Sequence, residues 1–209
     1  MASEDALPDA GRAREHAGED QQATSDGNDT ARALQHQRLQ RRFTAAGLLL
    51  GVGLGGFVDG IVLHQILQWH HMLTDYGSAT FPASTVRSLE DNSVWDGLFH
   101  LSTWLFVTVG VFLLWRVLSA GYQTTRHGMV GLLLAGWGIF NLIEGIVDHH
   151  LLTVHHVRDD VADPLWWDVG FLAFGALLVV AGLGLRRRDV VRSDQTATVT
   201  SATSRQISH

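Results

Sequence analysis

Four long apolar stretches, each almost free of charged residues, constrain this chain more than any other feature of its sequence. They run from about residue 43 to 69, 95 to 115, 128 to 152 and 165 to 185. Each reaches the roughly 20 residues that a helix needs to cross the ~30 Å hydrocarbon layer of a membrane. All three prolines lie outside these stretches, so no proline interrupts a helix. The sequence therefore predicts an all-α integral membrane protein with a four-helix bundle.

Polar segments flank these stretches. Residues 1–30 hold eight acidic residues and two arginines, a composition that cannot bury much apolar surface. We therefore expect a disordered acidic tail over residues 1–42. Residues 188–209 are rich in serine and threonine and predict a second disordered tail, which leaves residues 43–187 as the membrane domain.

Missing residue types exclude several functions. The chain has no cysteine and no lysine, which excludes disulfide scaffolds, thiolate metal sites, cysteine nucleophiles and lysine Schiff bases. It also lacks the clustered basic face that nucleic-acid binding requires, so we expect no nucleic-acid partner. The partner that the composition does predict is the lipid bilayer.

The arginines indicate an orientation in the membrane. Two connections between the stretches, residues 70–94 and 153–164, carry only Arg87 and Arg158. Nine arginines lie next to the opposite ends of the stretches: Arg38, Arg41, Arg42, Arg116, Arg126, Arg186, Arg187, Arg188 and Arg192. By the positive-inside rule, both termini are cytoplasmic and the two arginine-poor connections face outward.

An internal repeat contains acidic residues and histidines at matching positions. The pattern [DE]-G-I-V-x-H-x-[IL]-L-x-x-H-H begins at Asp59 and recurs without a gap at Glu144. A weaker match relates Trp95-Asp96 to Trp167-Asp168, each near the start of an even-numbered stretch. The chain therefore reads as two parallel two-helix repeats related by an axis along the membrane normal.

Ionisable residues gather at the outer ends of these helices, where they are costly unless they are paired or serve a function. On a straight α-helix, His64 and His71 share one face, and Asp59 and His70 share another. We predict a metal site in the outer half of the bilayer. Its candidate residues are Asp59, His64, His70, His71, Asp96, His100, Glu144, Asp148, His149, His150, His155 and His156.

Within this set, His64, His100 and His149 with Asp148 or Glu144 form the favoured ligand set. Asp59 and Glu144 fit two interpretations equally: they fasten helices together, or they orient the histidines from a second layer. Neutral imidazole suits iron, zinc and copper ions, and neighbouring carboxylates favour Fe or Zn over Cu(I).

Three other functions stay open at this point. A haem b protein would use two facing histidines, such as His64 and His149, as axial ligands. A transporter or proton path would use the chain of Asp, Glu and His side chains. A purely structural membrane partner would need no site at all.

The motifs resemble those of the prokaryotic multi-pass membrane family known as domain of unknown function 2243. The resemblance covers about residues 45–185 and rests on the two copies of the repeat, with Asp96-Gly97-Leu98-Phe99-His100 between them. It implies a protein of the prokaryotic plasma membrane with no assigned activity. It also implies proximity to respiratory-oxidase assembly components, and hence metal handling or redox chemistry.

Overall fold

The structure is a computed structural model that describes residues 10–73 and 85–207, with side chains over residues 24–73 and 85–188. The chain divides into two compact units, Met1–Arg41 and Arg42–His209. In the first unit, the side chains from Thr24 to Arg38 are exposed on a helix. The second unit contains all the residues of the predicted metal site.

Four long helices form the described chain, and two of them end in π-helical segments. The elements in order are α1 (Ala10–Val58), π1 (Asp59–Ile66), α2 (Val86–Ser119), α3 (Arg126–Glu144), π2 (Gly145–Leu151) and α4 (Leu165–Ile207). All four helices are long and apolar enough to cross a membrane. The predicted all-α membrane bundle is therefore confirmed.

The helices extend beyond the predicted membrane spans. Residues 31–42 are mostly Ala, Leu, Gln and Arg, which favour a helix, and they belong to α1. At the other end, α4 continues to Ile207. Disorder of residues 1–42 and 188–209 stays a prediction, and residues 1–9 and 208–209 lie outside the described residues.

Helices α1 and α3 are central, and α2 and α4 are peripheral. In the most apolar part of each helix, 44% of the residues of α1 and of α3 are buried, against 11% for α2 and 17% for α4. Large apolar side chains of α2, such as Trp104, Phe112 and Trp115, are exposed. Such a surface suits contact with lipid tails, which are as apolar as the side chains themselves.

Glycines allow α1 and α3 to touch along their backbones. A Cβ atom at Gly51 would collide with the Leu133 carbonyl oxygen, and one at Gly136 would collide with the Leu48 carbonyl oxygen. Aligning the two copies of the motif places Gly136 at the position equivalent to Gly51. Small residues such as these let helices in a membrane approach closely, and this crossing joins the repeats.

The outer helices pack on the central ones in matching ways. A Cβ atom at Gly53 would lie 2.6 Å from the Val107 side chain, and one at Gly138 would lie 2.8 Å from the Val179 side chain. Gly138 is the motif equivalent of Gly53, and Val179 is the equivalent of Val107 when the Trp-Asp pairs are aligned. The α1–α2 and α3–α4 pairs are therefore two copies of one unit with a shorter connection in the second.

The ends of π1 and π2 reverse the chain. The Leu67 amide donates to the Val62 carbonyl at 2.8 Å, and the following residue, Gln68, has a left-handed φ of 51°. In the second repeat the Leu152 amide donates to the Val147 carbonyl at 2.8 Å, and Thr153 has a φ of 46°. The chain therefore leaves the helix before the histidine pairs, and the predicted continuous helical face joining His64 to His71 is wrong.

Candidate metal centre

Six buried side chains, three from each repeat, come together where π1 and π2 end. They are Asp59, His64, His70, Glu144, His149 and His155, and we call them the six-residue centre. None exposes more than 4% of its surface. Overlapping groups of three within this set have ligand atoms within 4.8 Å of one another. The two triplets Asp59–His64–His70 and Glu144–His149–His155 are equivalent positions of the repeat.

The four imidazole rings of the centre contact one another. His70 and His155 stack at 4.5 Å with an interplanar angle of 5°. His64 lies 4.5 Å from His70 and 5.9 Å from His155 between ring centroids. His149 lies 5.0 Å from His155 and 6.3 Å from His70. His64 is therefore nearer to His70, and His149 is nearer to His155.

The carboxylates of Asp59 and Glu144 border these rings. Asp59 Oδ2 lies 3.1 Å from His64 Nε2, at a distance typical of an ion pair but outside hydrogen-bond geometry. Glu144 Oε1 lies 4.0 Å from His155 Nε2. Glu144, Asp59 and His64 also form one of the groups whose ligand atoms lie within 4.8 Å. The carboxylates of both repeats thus reach the same centre.

Asp96 on α2 orients the first repeat. The His64 Nδ1–H donates to Asp96 Oδ1 at 3.0 Å, and the His71 Nδ1–H donates to Asp96 Oδ2 at 2.7 Å. The Met72 amide also donates to Asp96 Oδ1 at 3.0 Å. Asp96 accepts a hydrogen bond from the Nδ1–H of His64, so the Nε2 atom of His64 faces the centre. Metal-binding histidines supported by a carboxylate have the same arrangement.

Asp168 on α4 has the same surroundings in the second repeat. His156 Nδ1–H donates to Asp168 Oδ2 at 2.7 Å, and the Val157 amide donates to Asp168 Oδ1 at 2.9 Å. His149 Nδ1 lies 3.5 Å from Asp168 Oδ1, a looser approach than that of His64 to Asp96. Asp96 and Asp168 are thus equivalent supports, and both are buried.

One histidine of the stacked pair is held by the connection of the opposite repeat. The His70 Nδ1–H donates to the Val157 carbonyl at 2.9 Å. Burial lowers the pKa of His70 to about 4 and lowers that of His155 well below its usual range. Both imidazoles are therefore neutral at neutral pH, the form that binds metals.

Aromatic rings and glycines surround the centre symmetrically. Phe99 of α2 lies 5.4 Å from His64, and Phe171 of α4 lies 5.4 Å from His149. Gly60 allows close approach of α2, because a Cβ atom there would lie 2.7 Å from the His100 ring. This glycine, which both copies of the motif share, therefore lets α2, the helix that carries Asp96, approach π1.

Two tryptophans and an arginine lie at the end of the bundle that contains the centre. The Arg158 guanidinium lies 5.1 Å from the Trp69 ring and 5.0 Å from the Trp167 ring. The Asp159 amide donates to the Trp69 carbonyl at 3.0 Å. These contacts connect the segment after π1 with the segment after π2.

The profile of the family DUF2243, described as predicted membrane protein, matches residues 46–189. The chain belongs to this family. Comparison with curated proteins and with solved structures finds no match. The DUF2243 match covers the first membrane-capable helix from residue 46 onward, the other three in full, and every residue of the six-residue centre.

The structure of this DUF2243 chain brings together six of the twelve predicted site residues. Three more, His71, Asp96 and His156, lie in the supporting layer. The remaining three lie outside the metal-capable groups of the described residues: His100, Asp148 and His150. His100 Nδ1–H donates to the carbonyl of Asp96, one turn earlier on α2, at 2.6 Å.

Sequence reasoning missed the supporting role of Asp168 and the contribution of the Val157 carbonyl. The repeated Trp-Asp pair contained the signal for Asp168. Aligning those pairs also shows that the equivalent of His100 in the second repeat is Leu172. A position that one repeat fills with leucine is not a repeated ligand.

Proposed function

We propose that this protein binds transition-metal ions in the six-residue centre, within the membrane bundle. Each of its residues has a buried side-chain atom without a hydrogen-bond partner. These atoms are Asp59 Oδ2, His64 Nε2, His70 Nε2, Glu144 Oε2, and both ring nitrogens of His149 and of His155. A buried polar atom left unpaired costs about 1–3 kcal/mol, so eight at one place support a ligand that satisfies several of them.

The donor atoms suggest which ions fit. Four imidazole nitrogens and two carboxylates supply only nitrogen and oxygen, and the chain has no cysteine. Soft thiolate and thioether ligands select Cu(I), whereas imidazole with carboxylate suits iron and zinc. We therefore propose Fe or Zn as the ion, with Cu(II) as the next candidate.

A resident centre fits the packing better than a transport path. Gly51 and Gly136 bring the backbones of α1 and α3 together about two helical turns before Asp59 and Glu144, or about 12 Å along the helix axes. The chain has no ionisable residue between 43 and 58 or between 128 and 143. A proton path along α1 or α3 would need ionisable groups there.

The packing of the rings also disfavours haem. A haem ligated by His64 and His149 would have to fit beside the stacked His70–His155 pair, whose rings lie 4.5 Å from His64 and 5.0 Å from His149. Buried carboxylates adjoin the same rings. Individual metal ions fit this set of side chains better.

We further propose that the centre lies in the outer half of a prokaryotic plasma membrane, with both termini cytoplasmic, as the arginine distribution favours. Metal handling or redox chemistry linked to respiratory-oxidase assembly is the role that the family resemblance suggests. A reporter that is active only in the periplasm, fused after residue 209, tests the orientation. Strong activity of that fusion would contradict it.

Metal content tests the main proposal. The full chain is purified in detergent, and its iron, zinc and copper contents are measured per protein. We expect His64→Ala and His149→Ala each to lower the bound metal severely. The control is His127→Ala, because His127 is exposed near the start of α3. Unchanged metal in a folded His64→Ala, His149→Ala double variant would refute the proposal.

A further inference from the structure

We infer that the centre holds two divalent ions, one for each repeat, rather than a single shared ion. The inference rests on the proposed function and adds the number of ions and the ligands of each. The first ion would bind Asp59, His64 and His70. The second would bind Glu144, His149 and His155.

The ligand atoms of the described residues form groups of three rather than one group of six. Glu144, His149 and His155 form one such group within the second repeat. The other two groups contain His64 and take residues from both repeats: one adds His70 and His155, and the other adds Asp59 and Glu144. In the first repeat, Asp59 Oδ2 lies 3.1 Å from His64 Nε2. A single ion does not reach all six ligand atoms where they lie, so two ions account for the set better.

Each set of ligands also has its own support. Asp96 accepts from His64, and Asp168 lies beside His149. A carboxylate that bonds to the far nitrogen of a histidine fixes the ring for metal binding. Asp96 makes this bond, whereas His149 Nδ1 lies 3.5 Å from Asp168 Oδ1 without a hydrogen bond. Each carboxylate also accepts from a backbone amide and from a second histidine, His71 or His156. One supporting carboxylate in each repeat matches two ions.

Charge balance favours the same number. Four carboxylates are buried together: Asp59, Asp96, Glu144 and Asp168. Among the described residues, no arginine is buried, and Arg158 pairs with Asp160 instead. Buried charges need compensation. Two divalent cations balance these four carboxylates when all four are ionised and the neighbouring histidines are neutral.

Cobalt titration of the full-length protein in detergent tests this inference. After removal of metal with a chelator, Co²⁺ is added in steps, and bound cobalt per chain is measured together with the visible spectrum. We expect binding to saturate at two equivalents. Saturation at one equivalent would overturn the two-ion arrangement while leaving the proposed metal site intact. No tight cobalt binding would overturn both.

Half-centre variants assign the ligands. His64→Ala with His70→Ala removes the first set, and His149→Ala with His155→Ala removes the second. We expect each pair to bind one cobalt, and His127→Ala to bind two. Loss of all cobalt in both folded pairs would indicate one shared ion.

A measurement on the unsubstituted protein tests the two-ion arrangement even where the variants fail to fold. Two neighbouring Co²⁺ ions couple magnetically, so the electron paramagnetic resonance signal per cobalt should fall as the second equivalent binds. A signal that grows in proportion up to saturation would contradict two neighbouring ions.

Discussion

The two repeats support the centre through the same contacts but differ in the carboxylate that each contributes. The first repeat has Asp59, which lies 3.1 Å from the His64 of its own repeat. The second has the longer Glu144, which lies 4.0 Å from His155 and groups with Asp59 and His64 as well. The longer side chain therefore reaches toward the opposite repeat, and the centre is symmetric in composition but not in detail.

Other differences show which positions are free to vary. His100 and Leu172 are equivalent, as are Leu63 and Asp148, and each pair exchanges an ionisable residue for an apolar one. In contrast, the residues that line the centre keep their type in both copies. The positions that keep their residue type in both repeats therefore line the centre. The positions that are ionisable in only one repeat lie at its border.

The largest effect that we predict concerns the crossing that joins the repeats. Gly51→Val and Gly136→Val should destabilise the bundle to the same extent, because the added groups collide with backbone of the facing helix. Overpacking lowers the free energy of unfolding by about 1–3 kcal/mol. We expect a loss at the upper end of this range, because the facing backbone is rigid. Thermal melting in detergent measures the loss.

Gly97→Val and Gly170→Val are the matched controls, because an added Cβ atom there meets nothing within 4 Å. They should melt close to the unsubstituted protein. If Gly51→Val melted normally while Gly136→Val did not, the two sides of the crossing would not be equivalent.

A smaller effect should distinguish the two supporting carboxylates. Asp96→Asn and Asp168→Asn should each weaken zinc binding about 10–100-fold, as loss of an orienting carboxylate does. The loss should be greater for Asp96, because His64 approaches it at 3.0 Å whereas His149 lies 3.5 Å from Asp168. Competition with a zinc-binding dye measures both affinities.

Glu90→Gln, an exposed change on α2, should leave the zinc affinity unchanged. A greater loss in Asp168→Asn than in Asp96→Asn would reverse the order that the distances predict.

The fold was readable from the sequence because span length and apolar composition are local properties. Four stretches and a gapless internal repeat predicted four helices in two copies, and the structure has them. The repeat also contains the residues that come together in the six-residue centre. The motif positions of Asp59, His64 and His70, with their equivalents, are the residues that converge.

The choice among the histidines could not be predicted from spacing. A straight α-helix would continue to His71, but the π-helical turns change the angle between successive residues. The left-handed residues Gln68 and Thr153 then reverse the chain. Neither residue type is a usual signal for that conformation, which glycine adopts most readily. The reversal is therefore a product of tertiary contacts, and it brings His70 and His155 into the centre.

The smallest effect that we predict concerns these two reversals. A left-handed conformation costs a residue other than glycine about 1–2 kcal/mol, and glycine removes that cost while adding freedom to the unfolded chain. Gln68→Gly and Thr153→Gly should therefore raise the melting temperature slightly, with a free-energy gain of up to ~1 kcal/mol. The gain should be greater at Thr153, because its branched Cβ fits the conformation less well.

Gln65→Gly is the matched control, because Gln65 lies within π1, where glycine should destabilise by about 0.5–1 kcal/mol. Equal losses in Gln65→Gly and Gln68→Gly would mean that Gln68 carries no strain. Metal binding gives a second measurement on the same variants. Strain at functional sites is held by the surrounding structure, so a more stable Thr153→Gly protein with weaker zinc binding would show that the rigid reversal helps to position His155.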